Sequence, residues 1–146
     1  MSATVEELQA RLEATSKKVH PDCFGCSCTS SAGLRLKFHV VEDGGVEAKF
    51  HCLEVYQGYT GLLHGGVTSM LLDAAMTNCL FSHGKVAVTA RLIVRYLLPV
   101  KINNTAVIRA WLRDYSPPLF VLEAKLEQNG RVVASAAAKF IDRNGV

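Results

Sequence analysis

Over residues 34–40, Leu34, Leu36, Phe38 and Val40 alternate with Arg35, Lys37 and His39. After the turn Asp43-Gly44-Gly45 the period of two resumes, with Val46, Ala48, Phe50 and Cys52 set against Glu47, Lys49 and His51. That pattern predicts an antiparallel hairpin with one dry face. Upstream the period lengthens. Val5, Leu8 and Leu12 fall at helical spacing, and Ser2 or Thr4 can cap, which predicts an amphipathic helix over residues 3–18. Pro21 ends it and opens a loop, HPDCFGCSCTSSAG.

From about Gly65 to Phe81 runs a second helical segment that is apolar nearly all round. Four strand-like runs follow at 86–98, 105–115, 119–128 and 131–141, and Asn129-Gly130 is a hairpin turn between the last two. A helix without a polar face must be covered on most sides, and a curved antiparallel sheet wrapped around it is the economical cover. The expected class is α+β, with residues 1–19 as an N-terminal helix and 20–146 as the wrapped domain. Ala134, Ala136 and Ala138 give one strand a face small enough to approach that helix closely.

A chain of 146 residues supports one domain with a sizeable core. A net charge of +3 is too small to argue for nucleic acid, although it leaves room for a local cationic patch. No apolar run approaches a membrane span and no signal peptide is visible, so neither a membrane nor secretion is expected. Five cysteines without such a signal point to a reducing, cytoplasmic setting rather than a disulfide framework.

The chemistry concentrates in 61-GLLHGGVTSMLLDAAMTNCLF-81. None of the usual capping residues lies between Gly61 and Gly66, so the backbone N–H groups of the first turn are expected to be open. Glycine lets another molecule approach them, and the helix dipole adds about half a positive charge there. Such an end can polarise a carbonyl and stabilise an oxyanion. Asp73 shares that face of the helix. The two lie roughly 10 Å apart along the axis, at about 1.5 Å per residue. One acid cannot serve a carbonyl held so far away, so the simplest arrangement brings Asp73 from a second protomer across a two-fold axis. Ser69, Asp73 and Thr77 form a thin polar stripe that could equally satisfy itself or face a subunit boundary.

Residues 56–76, YQGYTGLLHGGVTSMLLDAAM, resemble the signature of hotdog-fold acyl-CoA thioesterases of the PaaI type. HPDCFGC with Gly33-Leu34, and VTARLIVRYLLPV at 88–100, extend the likeness over most of the chain from His20. The resemblance implies a hotdog fold and hydrolysis of an acyl-CoA substrate, without metal or redox cofactor, in a homo-oligomer (a dimer or a tetramer). It implies that an N–H at Gly65 or Gly66 holds the thioester carbonyl while the partner's Asp73 acts as general base or nucleophile. His64 would shape the helix opening and Thr89 would help to place the water. Many relatives carry an asparagine where this chain has Gly58, with Gln57 beside it as a candidate substitute. Ala74 replaces a common glutamate, which leaves Asp73 as the single acid.

His20, Cys23, Cys26 and Cys28 crowd into nine residues, unlike zinc sites that pair two ligand clusters across a longer loop. The thioesterases it resembles carry cysteines here without metal, so reduced thiols are expected. Arg91 and Arg95 read as lying on the same strand face as Thr89, where they could meet CoA phosphates or simply face water. Arg109, Trp111, Arg113 and Tyr115 read as an arginine–aromatic face. Gly58, Ser69 and Met70 are candidates to touch substrate; Met70, Met76, Leu80 and Phe81 are pocket or core. Two other functions stay open: a hydratase or dehydratase of acyl thioesters, for which no D-x4-N-P-x-H pattern is present, and a non-catalytic acyl-CoA-binding protein.

Overall fold

The computed structural model describes residues 3–29 and 32–142. Helix α1 spans Val5–Val19 and is capped by Thr4, whose Oγ1 accepts the Glu7 N–H at 3.1 Å while Glu7 Oε2 accepts the Thr4 N–H at 2.9 Å. This reciprocal capping box satisfies two donors that a helix start would otherwise leave unpaired. Ser2, the other candidate cap, lies outside the described residues. The remaining elements are β1 (His39–Val40), β2 (Val46–His51), α2 (Gly65–Ser82), β3 (Ala87–Tyr96), β4 (Thr105–Ser116), β5 (Leu119–Gln128) and β6 (Arg131–Asp142).

The six strands form one antiparallel sheet in the order β1-β2-β4-β5-β6-β3. Its concave face holds α2, which touches β2, β3, β4, β5 and β6 and is covered on its other side by α1. This is the hotdog arrangement. Leu71, Leu72, Ala75, Met76 and Cys79 on α2 are fully buried against Ile108, Leu122, Leu126 and Phe140 of the sheet core. Each large side chain so buried contributes about 1.5–3 kcal/mol relative to exposure. Leu8 and Leu12 of α1 join the same cluster. Cys52 and Cys79 are core residues, as their spacing implied. At the far end of α2, Gly84 takes a left-handed φ of 67°, and its N–H bonds the Phe81 carbonyl. Asn129 and Gly130 both have positive φ, the pairing a tight hairpin turn requires.

Two departures from simple alternation bear on the site. The segment 34–40 keeps its burial pattern, with Leu34, Leu36, Phe38 and Val40 inside, yet only its last two residues pair with β2. Arg35 is left-handed, at φ 54°, which breaks the ladder. The Leu34 and Leu36 N–H groups bond instead to the carbonyls of Phe24 and Gly25, each at 2.9 Å. In β3 a bulge falls at Ala90: Thr89 stands opposite the buried Phe140, whereas Arg91 stands opposite the exposed Lys139. The extra residue turns the strand over. Thr89 therefore faces α2 and Arg91 and Arg95 face the opposite side of the sheet, so the expectation that all three share a face is wrong.

The three alanines of β6 are buried opposite Leu92, Val94 and Tyr96 of β3 and where α2 lies on the sheet. Enlarging one overpacks that contact. Ala138→Leu is expected to cost about 1–3 kcal/mol in chemical denaturation, with the slope of the transition unchanged.

Candidate functional site

The start of α2 is strapped in place from outside. The Leu63 N–H donates to the Val100 carbonyl at 2.8 Å, and the His64 N–H to the Tyr56 carbonyl at 2.9 Å. His64 is the N-cap: its extended backbone presents a carbonyl to the Val67 and Thr68 N–H groups, and its Nδ1 accepts the Gly66 N–H at 2.8 Å. An accepting Nδ1 puts the proton of the neutral ring on Nε2. The expectation that no side chain caps this turn is therefore corrected, because an imidazole does what Ser, Thr, Asp or Asn usually does. Gly66 has its N–H engaged. The Gly65 N–H is the one in this turn with no acceptor among the described residues.

Tyr96, on the inner face of β3, fixes the same turn from the other side. Its hydroxyl donates to the Gly65 carbonyl at 3.0 Å and meets Ser69 Oγ at 2.5 Å. Ser69 thus has a structural partner within the chain. Gln57 is turned into its own loop, where Oε1 accepts the Gly61 N–H at 3.1 Å. Gly58 packs against His64: a Cβ there would meet the His64 Cα at 3.2 Å and ring Cδ2 at 3.3 Å. A side chain at that position would push the capping imidazole.

Further along α2, Asp73 accepts a hydrogen bond from Thr89 Oγ1 at 2.8 Å. Burial holds its carboxyl above the usual carboxylate range, with the Thr89 bond and the nearby His20 each pulling the other way. Burial in turn holds His20 below the ordinary imidazole value, against the pull of Asp73. The upper part of the polar stripe is therefore bonded to β3, Ser69 through Tyr96 and Asp73 through Thr89. Met70 is half-buried, near Gly25 of the loop before β1, while Met76, Leu80 and Phe81 are core.

The structure brings His64, Gly65, Gly66, Ser69 and Tyr96 together at one end of α2, with Gly58 against His64 and Gln57 beside it. Asp73, Thr89 and His20 gather nearly two turns further on. Arg91 and Arg95 join neither group within one chain. The arginines of β4 make ion pairs rather than aromatic stacks: Arg109 with Asp43, and Arg113 with Glu123 at 3.3 Å, while Trp111 Nε1 donates to Glu123. Tyr115 stacks on Phe120 instead. The sequence does not reveal Tyr96 as part of the Gly65 turn, nor His20 as a neighbour of Asp73. The alternation of Leu92, Val94 and Tyr96 could have put Tyr96 on the inner face, but no local signal pairs its hydroxyl with Gly65. His20 reaches Asp73 only through the fold of the loop.

The sequence profile of the thioesterase superfamily matches residues 60–135, just over half of the chain. The chain belongs to the thioesterase superfamily. That match covers α2 and its glycines together with β3, β4, β5 and the start of β6, so both groups of site residues except His20, Gln57 and Gly58 lie inside it. A curated relative, MIOREX complex component 3 of Saccharomyces cerevisiae, is 30% identical over 95 residues, 64% of this chain. The chain spans about a third of that protein's length, 35%. Among solved structures, the PaaI protein of the Escherichia coli phenylacetic acid degradation operon superposes with a TM-score of 0.82 at 16% identity, over 99% of both chains. Thioesterase superfamily member 2 of zebrafish gives 0.73 at 18% identity, over 97% of this chain and all of the other. A Streptococcus mutans protein bound to acetyl CoA gives 0.69 at 22% identity, over 74% of this chain and 88% of its own. At these identities the structural matches establish the hotdog fold of the superfamily member and no more.

A raised carboxyl also bears on stability. Burial disfavours the ionised form of Asp73 in the folded state. Its cost is present in full above the folded-state value and vanishes below the unfolded one, near 3.9. Asp73→Asn is therefore expected to raise Tm at neutral pH, with the gain shrinking as pH falls through the carboxylate range. A scanning-calorimetry series from pH 3 to pH 8 checks it; a variant less stable than wild type at neutral pH contradicts the burial argument.

Proposed function

We propose that the chain hydrolyses an acyl-CoA thioester. The observation that carries this reading is the combination, on one helix, of an unpaired N–H at Gly65 and a desolvated carboxylate at Asp73 held by Thr89. Membership of the thioesterase superfamily supports it, as does the CoA or acetyl CoA found in hotdog relatives of the same fold.

The thioester carbonyl oxygen sits at the Gly65 N–H, where the helix dipole favours the negative charge that develops on attack. Asp73 removes a proton from water, the hydroxide equivalent adds to the carbonyl carbon, and the tetrahedral intermediate expels the CoA thiolate. The thiolate regains a proton and the free acid remains. Thr89 donates to one carboxylate oxygen and so leaves the other to face the water. Direct attack by Asp73, giving an anhydride that water then opens, uses the same atoms.

The axial gap of roughly 10 Å between the two groups supports a reading in which they come from different protomers. The outer edge of β3 has no strand beside it among the described residues, and Ile93 and Tyr96 on that strand are exposed. A second copy pairing there would cover the edge and bring its own Asp73 toward the Gly65 turn. A homodimer, or a tetramer built from two, is the reading we adopt, with Arg91 and Arg95 candidates for CoA phosphates only across such a boundary. Met70, half-buried, remains the candidate acyl contact. Five free cysteines suit a reducing compartment.

Thiol release across a panel of acyl-CoAs tests the assignment. Asp73→Asn is expected to lower kcat by about 10²–10⁴, the usual worth of a general base. Wild-type rates in that variant would remove Asp73 from the chemistry. Loss of water from a 3-hydroxyacyl-CoA with no free thiol would establish the hydratase class, and tight acyl-CoA binding without turnover, unchanged in Asp73→Ala, the binding protein. In the pH profile, wild type should gain activity through an ionisation above the ordinary carboxylate range. Thr89→Val removes a hydrogen bond that favours the ionised form, so this acid limb should move to higher pH.

A further inference from the structure

The loop between α1 and β1 is better built than a run of surface thiols needs to be. Cys23-Phe24-Gly25-Cys26 makes a tight turn in which the Gly25 N–H donates to Cys23 Sγ at 3.3 Å and the Ser27 N–H to the Cys23 carbonyl at 2.9 Å. Segment 34–36 braces the turn through the Phe24 and Gly25 carbonyls. On its inner side Gly25 is seated against α2, with a Cβ there reaching Ala74 at 3.5 Å and Met70 at 3.7 Å. His20, just past the end of α1, turns its ring edge-on to Phe81, centroids 5.0 Å apart, and brings Nδ1 to 3.8 Å from Cys26 Sγ. The ligand atoms of His20, Cys23 and Cys26 all lie within 4.8 Å of one another.

We propose that His20, Cys23 and Cys26 form a site for a soft divalent metal ion, zinc being the ordinary occupant of such a set. The crowding of four candidate ligands in sequence argued against a metal; the fold answers by leaving Cys28 exposed and outside the cluster while closing the other three. An ion at the centre of a triangle with sides no longer than 4.8 Å is at most roughly 2.8 Å from each corner. Reaching Zn–S and Zn–N distances of about 2.3 and 2.0 Å needs side-chain shifts of well under an ångström.

Charge points the same way. Two thiolates, a neutral imidazole and a divalent cation sum to zero, which is what a partly buried position tolerates. Because both thiols must lose their protons to ligate, binding would tighten as pH rises. A groove lined by Leu12, Ser16, His20, Cys26, Cys28 and Asn78 gives an entry path, and leaves room for water as the fourth ligand. Bound there, the ion would tie the loop beside Asp73 to the end of α1.

Reduced wild-type protein titrated with cobalt(II) is expected to show thiolate-to-metal charge transfer and tetrahedral d–d bands saturating at one ion per chain. Zinc should displace them and should also shield Cys23 and Cys26, but not Cys28, from alkylation as read by peptide mass spectrometry. Cys28→Ser should keep both behaviours, and Cys23→Ser with Cys26→Ser should lose both while circular dichroism confirms that it folds. Absence of the bands in folded, reduced wild type overturns the proposal. So does their survival in the double variant, or a Cys23–Cys26 disulfide that forms with zinc in excess. None of these readouts depends on thioester hydrolysis.

Discussion

A helix with no polar face has to be covered on every side, and α2 forces that requirement on the rest of the chain. Five strands of the sheet and α1 share the task. Buried alanines on β6 keep the inner face of that strand low where a strand ordinarily carries Val or Ile. The coverage is also what desolvates Asp73. An acid on the outside of a helix would have an ordinary affinity for its proton; enclosed against β3, with a single threonine hydroxyl for company, it holds the proton more tightly. The reactivity proposed for it and the packing of the core are two results of one constraint.

The two ends of the helix-borne site are supported unequally. Around the first turn, His64 and Tyr96 engage nearly every polar atom, and the chain on either side is strapped to Tyr56 and Val100. The single donor left over, at Gly65, therefore has a fixed direction, the condition under which a dipole contributes most to a developing charge. Asp73 has only Thr89 and the more distant His20. A carboxylate that must exchange a proton or attack a carbon is better served by such a sparse setting than by a full set of donors that would hold it permanently ionised.

Much of this was legible beforehand. The helix bounds, the four late strands, the Asn129-Gly130 turn and the glycine–aspartate spacing all came from local periodicity and known turn chemistry. What escaped was non-local or depended on one residue out of step. Ala90 reads as another position in an alternating strand, and only the pairing with β6 reveals that it is the bulge that parts Thr89 from Arg91. Arg35 gives no hint of a left-handed backbone, because the burial pattern around it survives intact. Histidine is not counted among the usual capping residues, so His64 hid in plain view.

The contact between Gly58 and His64 carries a lesson about inheritance. With an ideal Cβ already at 3.2 Å from the His64 backbone, any side chain at position 58 asks His64 to give by a few tenths of an ångström. A change at 58 alone would press on the capping imidazole before any new group could contribute. A compensating move of the 61–64 loop would relieve that pressure. Homologues with a bulky residue at this place should accordingly differ at the loop as well.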